Sequence, residues 1–482
     1  MSSRRSRWLL WIVCRHECRV LWRDASTAIV LVAIMASMAF GLWSGARWAA
    51  FQGEAVEAGI QREAEVFREL ESQARDWESR GAEASPEAFP LHPGYIGLFY
   101  SRFAALPPAV TAPLSIGQSA MRPYYFWVNG ERRDSWLDQE EIDNPQNLLA
   151  GRFDLGFVVV FFLPIVALGL SFDLLSRERE QGTLQLIGSQ PIPTGVLLAG
   201  KIVARWALVM GSVLLVMVPA ALGLGIFQGA PGAFLLWIGA VGGYVLFWIL
   251  LAGVVNTRTR DSASNGILLL SAWLLLGVIL PPVLNRVVAS VHPLPPRAEV
   301  IQTTRALETE VRVDPGTLVE TYYADQPELR PEGFDPDRYN FPLFWTAIQR
   351  EVDEGMESLL RQEREALEGQ ERLGRRLAAL SPAVLVQMLS DAVAGTDLGR
   401  NRRFLEEVFD FHSEHRAFFE PRTFGHQTLK ADEYAHMPTF HPRAAGLRLD
   451  ATQAVPLGVL SLLWSLVAGI LLWRRCRRLD PG

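Results

Sequence analysis

Four sets of residues in this chain carry side chains whose types and spacing could do chemistry. Gly195-Val196-Leu197-Leu198-Ala199-Gly200-Lys201-Ile202 has the spacing of a phosphate-binding loop until its last position. There Ile202 stands where a Ser or Thr hydroxyl would hold magnesium, and no strand is predicted before the motif. Nucleotide binding is therefore not expected, and Lys201 reads as a charge anchoring a membrane helix at the interface. His412 and His415, in a stretch that also holds His426, His436 and His441, could offer two imidazoles from one helix face to a metal. The competing reading is a polar, aromatic-rich surface, because Phe409, Phe411, Phe418 and Phe419 are interleaved and no tight ligand spacing recurs. Cys14, His16 and Cys18 lack a fourth ligand, and a helix would turn His16 away from the two thiols.

The fourth set is Ser176-Arg177-Glu178-Arg179-Glu180-Gln181-Gly182-Thr183-Leu184, close behind Asp173. Three carboxylates so near one another could serve acid–base catalysis, but alternation with arginine is explained more simply by salt-bridged docking. The polar run to Gln181 and the mostly apolar Leu184-Gln185-Leu186-Ile187 predict a short amphipathic helix lying on a membrane surface. Glu178→Arg or Glu180→Arg is expected to leave folding and insertion largely intact. No nucleophile elbow, zincin motif or catalytic triad appears, so no catalytic residue and no cofactor is assigned.

The elements that must position this stretch are membrane spans. The chain has 482 residues, 49% of them hydrophobic, and its mean hydropathy is +0.14, high for a soluble protein. Residues 1–24 carry Arg15, Arg19 and Arg23 at helical spacing beside Trp8, Trp11 and Trp22, and read as an interfacial helix. Six spans are expected: 25–45, 154–172, three within 202–289, and 453–473. Pro164 lies inside the second of them. Residues 46–153 form a first large polar region, with the first span continuing outward as a long solvated helix to about Arg80. Tyr124 to Val128 before Asn129-Gly130 is a hairpin signal, so a small β element is expected near 121–133. Residues 290–452 form a second, mostly helical region, and 474–482 a basic tail.

An even number of spans puts residues 1–24, 173–201, the loop around Arg258 and the tail on one side, and both large regions on the other. Every short arginine-rich loop then falls in the cytosol, as the positive-inside rule requires. Both termini are expected there, with Cys14, Cys18 and Cys476 reduced. The net charge of −6 argues against a general nucleic-acid binder.

Ser176-x-Glu178-x-Glu180-x-Gly182-Thr183-Leu184, leading through Pro191 and Pro193 to Gly200-Lys201, resembles the cytosolic coupling segment of ABC-2 type transporter permeases. Gly117-Gln118-Ser119, Asn144-Pro145, Gly151-x-Phe153-Asp154, Ser381-Pro382-Ala383 and Ala394-Gly395-Thr396-Asp397 resemble landmarks of a branch with two large extracytoplasmic insertions. The resemblance implies a non-enzymatic, membrane-spanning export subunit in a bacterial-type inner membrane. It implies pairing with a second permease copy or paralogue and with a separate ABC ATP-binding subunit. In that setting Ser176, Arg177, Glu178, Arg179, Glu180, Gly182, Thr183 and Leu184 would couple to the ATPase. The alternative from the residues alone is a membrane signalling or structural protein whose outer regions bind a partner.

Overall fold

The computed structural model describes residues 3–80, 89–133, 135, 152–183, 193–259, 261–335, 340–443 and 451–479. The chain is mainly α, with one two-stranded sheet. Helix α1 (Ser3–Arg23) meets α2 (Ala25–Ser79) at Asp24, whose carboxylate accepts from the Thr27 amide and caps α2. Fifty-five residues make α2 about 80 Å long at 1.5 Å per residue, so its polar second half extends well beyond a bilayer core of about 30 Å. That is the outward continuation its charge pattern predicts.

Among the described residues five helices are long and apolar enough to cross a membrane. They are α2, α6 (Thr194–Gly223), α7 (Pro231–Asn256), α8 (Ser262–Val291) and α14 (Ala451–Leu479, spanning as Ala454–Arg477). The segment expected as the second span forms the shorter α4 (Leu155–Gly169). Trp237, Tyr244 and Trp248 of α7 are fully buried, and 67% of its most apolar stretch lies inside the protein against 11% for α8. The bundle is therefore built around α7, with α8 at its edge.

Prolines within α4 and α8 are accommodated in the same way. A π-helical turn, Val158–Phe162 or Leu274–Ile279, stands just before Pro164 or the Pro281-Pro282 pair. A proline ring blocks the preceding carbonyls from their usual partner, and a widened turn makes room for it without breaking the helix.

Beyond the bundle, α3 (Pro93–Phe99) packs with α11 (Phe341–Ala378) and α13 (Leu398–Phe424), and α9 (Arg297–Val311) and α10 (Pro315–Asp325) lie on α11. Helix α12 (Pro382–Ala394), expected within a soluble region, belongs to the bundle instead. Its Leu385, Val386, Leu389 and Val393 share the core of the spans. It is pinned there by Trp237 Nε1 to Ser390 Oγ (3.1 Å) and Ser381 Oγ to the Leu276 carbonyl (2.8 Å).

The β element falls where the sequence puts it, but the pairing differs. Strand β2 (Tyr125–Val128) pairs antiparallel with the upstream β1 (Arg102–Ala105), Phe103 opposite Trp127, and among the described residues no strand follows Asn129-Gly130 to pair with it. Asn129 closes a turn on its own backbone by accepting from the Glu131 amide, and the Gly130 amide is committed to the Gly97 carbonyl (2.7 Å). That dipeptide docks the strand on α3 rather than folding a hairpin.

Candidate coupling site at one end of the bundle

After α4 the chain turns through 170–175 and enters α5 (Ser176–Glu180), a five-residue helix. It is shorter than the pattern predicts. Gly182 sits at φ +71°, a left-handed conformation that glycine adopts without a Cβ clash, and this stops the helix. Leu184 and the apolar half of the predicted helix lie outside the described residues.

The helix has two faces. Arg177, Glu180, Gly182 and Thr183 are exposed, while Ser176 is buried and Glu178 and Arg179 are half-buried. What holds the inner face is a polar clamp that the sequence reading missed. Asn256, fully buried at the end of α7, accepts from the Leu175 amide (3.0 Å). Its amide group donates to the Ala252 (2.9 Å) and Phe172 (3.0 Å) carbonyls. Asn265 of α8, also fully buried, donates to Asn256 Oδ1 and Ser176 Oγ, each at 3.1 Å. Ser176 Oγ and Ser262 Oγ lie 2.7 Å apart, the Ser262 amide donates to Glu180 (2.6 Å), and Arg179 donates to the Thr259 carbonyl. Turn carbonyls and amides that would otherwise be orphaned are thereby paired. Asparagine carries both donor and acceptor, which is why it can serve the turn and a second helix at once.

The second layer is ionic. Lys201 of α6 is 2% exposed and bonds to the Glu178 carboxylate and to the Leu174 carbonyl (2.9 Å). Glu17 of α1 lies 3.8 Å from Lys201 and accepts from Arg205 Nη1 at 2.9 Å. Arg205 Nε donates to the Leu170 carbonyl (2.6 Å). Lys201, read from the sequence as an interfacial anchor, turns inward together with Arg205, because these partners satisfy their charge within the protein. At Gly200 a Cβ would lie 2.6 Å from Val13, so the Gly-Lys pair has a direct physical reading. Glycine lets α1 close on α6, and lysine pairs with the two carboxylates that closure brings together. Burial raises the Asp173 carboxyl above its ordinary range, opposed by Arg205 and Arg177.

The remaining candidates are placed elsewhere. The phosphate-loop lookalike lies wholly within the described start of α6, as regular helix, with Lys201 already engaged, so no cradle of backbone amides forms. His412 and His415 share one face of α13, but that face is inside. His412 Nε2 contacts the Glu131 carbonyl at 2.8 Å, and His415 lies against Phe419 with ring centroids 4.6 Å apart. Burial and then Arg416 push His412 down to about 3, and burial and then His412 hold His415 well below the imidazole range. Among the described residues no group of three or more His, Cys, Asp or Glu side chains is placed to hold a metal ion. Cys14, Cys18 and Cys476 form no disulfide.

Several of the other landmark residues meet at the opposite end of the bundle. Asp154 caps α4 through the Phe157 amide (2.8 Å) and accepts from the Ile116 amide (2.7 Å) beside Gly117-Gln118-Ser119. Ser115 Oγ and Gln387 both donate to Asp391 (2.7 and 2.8 Å), whose carbonyl accepts from the Thr396 amide (2.9 Å). This junction holds the outer layer to the bundle.

Fold and geometry define a polytopic helical membrane protein. Residues 297–443 match a family described as a domain of unknown function, DUF3526. The chain is also 29% identical over 136 residues to a protein of Stutzerimonas stutzeri described as probable ABC transporter permease protein NosY. That match covers 27% of this chain and 49% of the relative, so the chain spans about half the length of the curated relative it matches. Together these support a protein related to ABC transporter permeases in general.

Proposed function

We propose that this chain is the membrane-spanning subunit of an ABC-2 type exporter in a bacterial-type inner membrane. It works with a second permease copy or paralogue and a separate ABC ATP-binding subunit that hydrolyses ATP. Residues 173–201 are the cytosolic coupling segment, and both termini lie on the same side. The observation that carries this reading is the two-faced α5. Its exposed Arg177, Gly182 and Thr183 are available to a partner, and Glu180 is exposed but also accepts from the Ser262 amide. Glu178 ties the inner face to α6, and Lys201 and Glu17 extend that tie to α1. A force applied to such an element moves membrane helices rather than a loose loop. The similarity to a probable permease supports the choice of an ATPase as the partner.

The test is co-purification with the cognate ATP-binding subunit and measurement of its stimulated ATP hydrolysis. Arg177→Glu and Glu180→Arg should keep membrane levels near wild type, since exposed charges contribute about 1 kcal/mol or less to folding. Both should weaken the complex, because interface charges that become buried are worth roughly 2–5 kcal/mol. Normal assembly and transport by both variants would refute the assignment.

A further inference from the structure

Between α9, α11, α13 and the end of the sheet lies a cleft of about 750 Å³, within the range of about 300–1,000 Å³ typical of small-molecule sites. One wall is apolar, formed by Phe126, Val300, Ile301, Leu360, Leu405 and Phe409. Several of its charges cancel locally: Arg132 pairs with Glu308, and Arg402 with Glu368 and Glu406. Two arginines differ. Among the described residues Arg122 has a single polar partner, Gln118 (3.3 Å), and no carboxylate lies within ion-pair distance of it or of Arg305 at the exposed rim. Burial lowers the Arg122 guanidinium below its usual range with nothing charged to offset it, so its positive charge is held at a cost that an anion would relieve.

Arg122 also lines a second cavity of about 380 Å³. That cavity is bounded by Leu284 and Val288 of α8 and Leu457 of α14, both membrane-crossing by length and composition, and by Met388 of α12. The guanidinium therefore stands where the outer cleft meets a cavity of mixed character, whose apolar side is Leu284, Val288, Met388 and Leu457 and whose other side carries Glu371, Asp391 and Asp397.

We propose that the outer cleft, with Arg122 at its inner end, is a binding site for an amphipathic organic anion. The acid group pairs with Arg122 and is approached past Arg305, and the apolar chain lies along the Phe126–Phe409 wall. An inorganic anion would have no use for that wall, and a neutral lipid none for Arg122. Binding stands independently of the permease reading; only the further step, that the anion is the exported cargo, rests on it.

The experiment uses the full chain in phosphatidylcholine nanodiscs titrated with dansyl-undecanoate, with empty discs as baseline. Saturable fluorescence above the baseline is expected, displaced by laurate but not by dodecylamine or inorganic phosphate. Arg122→Gln should weaken binding about tenfold or more, as expected for loss of a charge-assisted contact, and Arg122→Lys should weaken it less. Arg305→Gln, at the exposed rim, and Leu405→Asp should each weaken it in a chain that remains monodisperse. No saturable signal, equal displacement by dodecylamine, or unchanged binding by the Arg122→Gln/Arg305→Gln double variant would overturn the site. Anion binding that persists while the ATP-binding subunit neither associates nor responds would leave the site standing and sink the permease reading.

Discussion

Glu178 and Lys201 are each easy to see in the sequence and hard to interpret there, because an isolated charge near a membrane helix reads as an interfacial anchor. Only the fold shows that Glu17, some 160 positions from Glu178 in the chain, completes the group. Breaking one partner of a buried pair costs about 3–5 kcal/mol, because the other charge is left uncompensated, whereas removing both can be close to neutral. Lys201→Met alone should therefore lower the thermal unfolding temperature of the purified protein sharply, and Lys201→Met with Glu178→Gln should recover much of the loss. Equal destabilisation by the single and double variants would show that the pair is not coupled. Glu178→Arg, unlike Glu180→Arg, is expected to fold poorly, which revises the sequence-based expectation that reversals along this stretch are tolerated. The buried histidines give a second residue-scale outcome. Their folded pKa values lie below the ordinary 6.5, so between those values the unfolded chain binds more protons and stability rises with pH. Acidification from pH 7 to pH 5 should destabilise α13, each histidine contributing up to about 1.4 kcal/mol per pH unit below its unfolded value. The protection of α13 amides, corrected for the slower intrinsic exchange at low pH, should fall on acidification in the wild type and fall less in His415→Leu.

At the scale of elements, what could be read in the sequence was whatever is written as local periodicity or punctuation. The long α2, the basic amphipathic α1, the Ser381 cap of α12 and the strand at Tyr125–Val128 all carry such signals. What could not be read depends on distant partners. Strand β1, Arg102-Phe103-Ala104-Ala105, has only Phe103 as a strand-favouring residue to announce it, and its partner lies beyond residues 106–124. The Asn256–Asn265 clamp looks in sequence like an ordinary polar loop flanking Arg258, although two asparagines at the facing ends of apolar helices were the available clue. The packing of α1 on α6 makes a prediction of its own. A side chain at position 200 must displace Val13, so Gly200→Val should cost about 1–3 kcal/mol by overpacking. It should also loosen α1, seen as faster trypsin cleavage after Arg15 and Arg19, while Gly211→Ala, where a Cβ meets nothing, should change neither. Equal cleavage rates in Gly200→Val and wild type would rule out the close approach.

For the molecule as a whole, the arrangement of the two ends follows from contacts rather than from charge counting. At one end α1 meets α6 through Glu17, α5 meets α8 through Ser176 and Ser262, and a Cβ at Gly195 would lie 3.8 Å from Cys476 of α14. At the other, the far tip of α2 meets the second polar region, where Glu78 accepts from the Ala431 amide at 2.8 Å. The Pro90 carbonyl accepts from Tyr434 beside it. Both large regions therefore lie together, away from the end that holds α5. Helix α4 alone is about 22 Å long, short of a bilayer core of about 30 Å. It begins beside Gly41 of α2, however, and the chain has reached Asn256 by Leu175, so residues 155–175 as a whole return from one end toward the other. On the proposed permease reading this path is the sixth crossing, and the short arginine-rich segments lie inside. In a background with Cys14, Cys18 and Cys476 changed to alanine, Glu365→Cys, exposed on α11, should react with a membrane-impermeant maleimide in intact cells. Gln181→Cys, exposed at the turn after α5, should react only after the membrane is opened. Labelling of Gln181→Cys from outside would invert the orientation, and labelling of both positions from one side would remove the crossing assigned to residues 155–175.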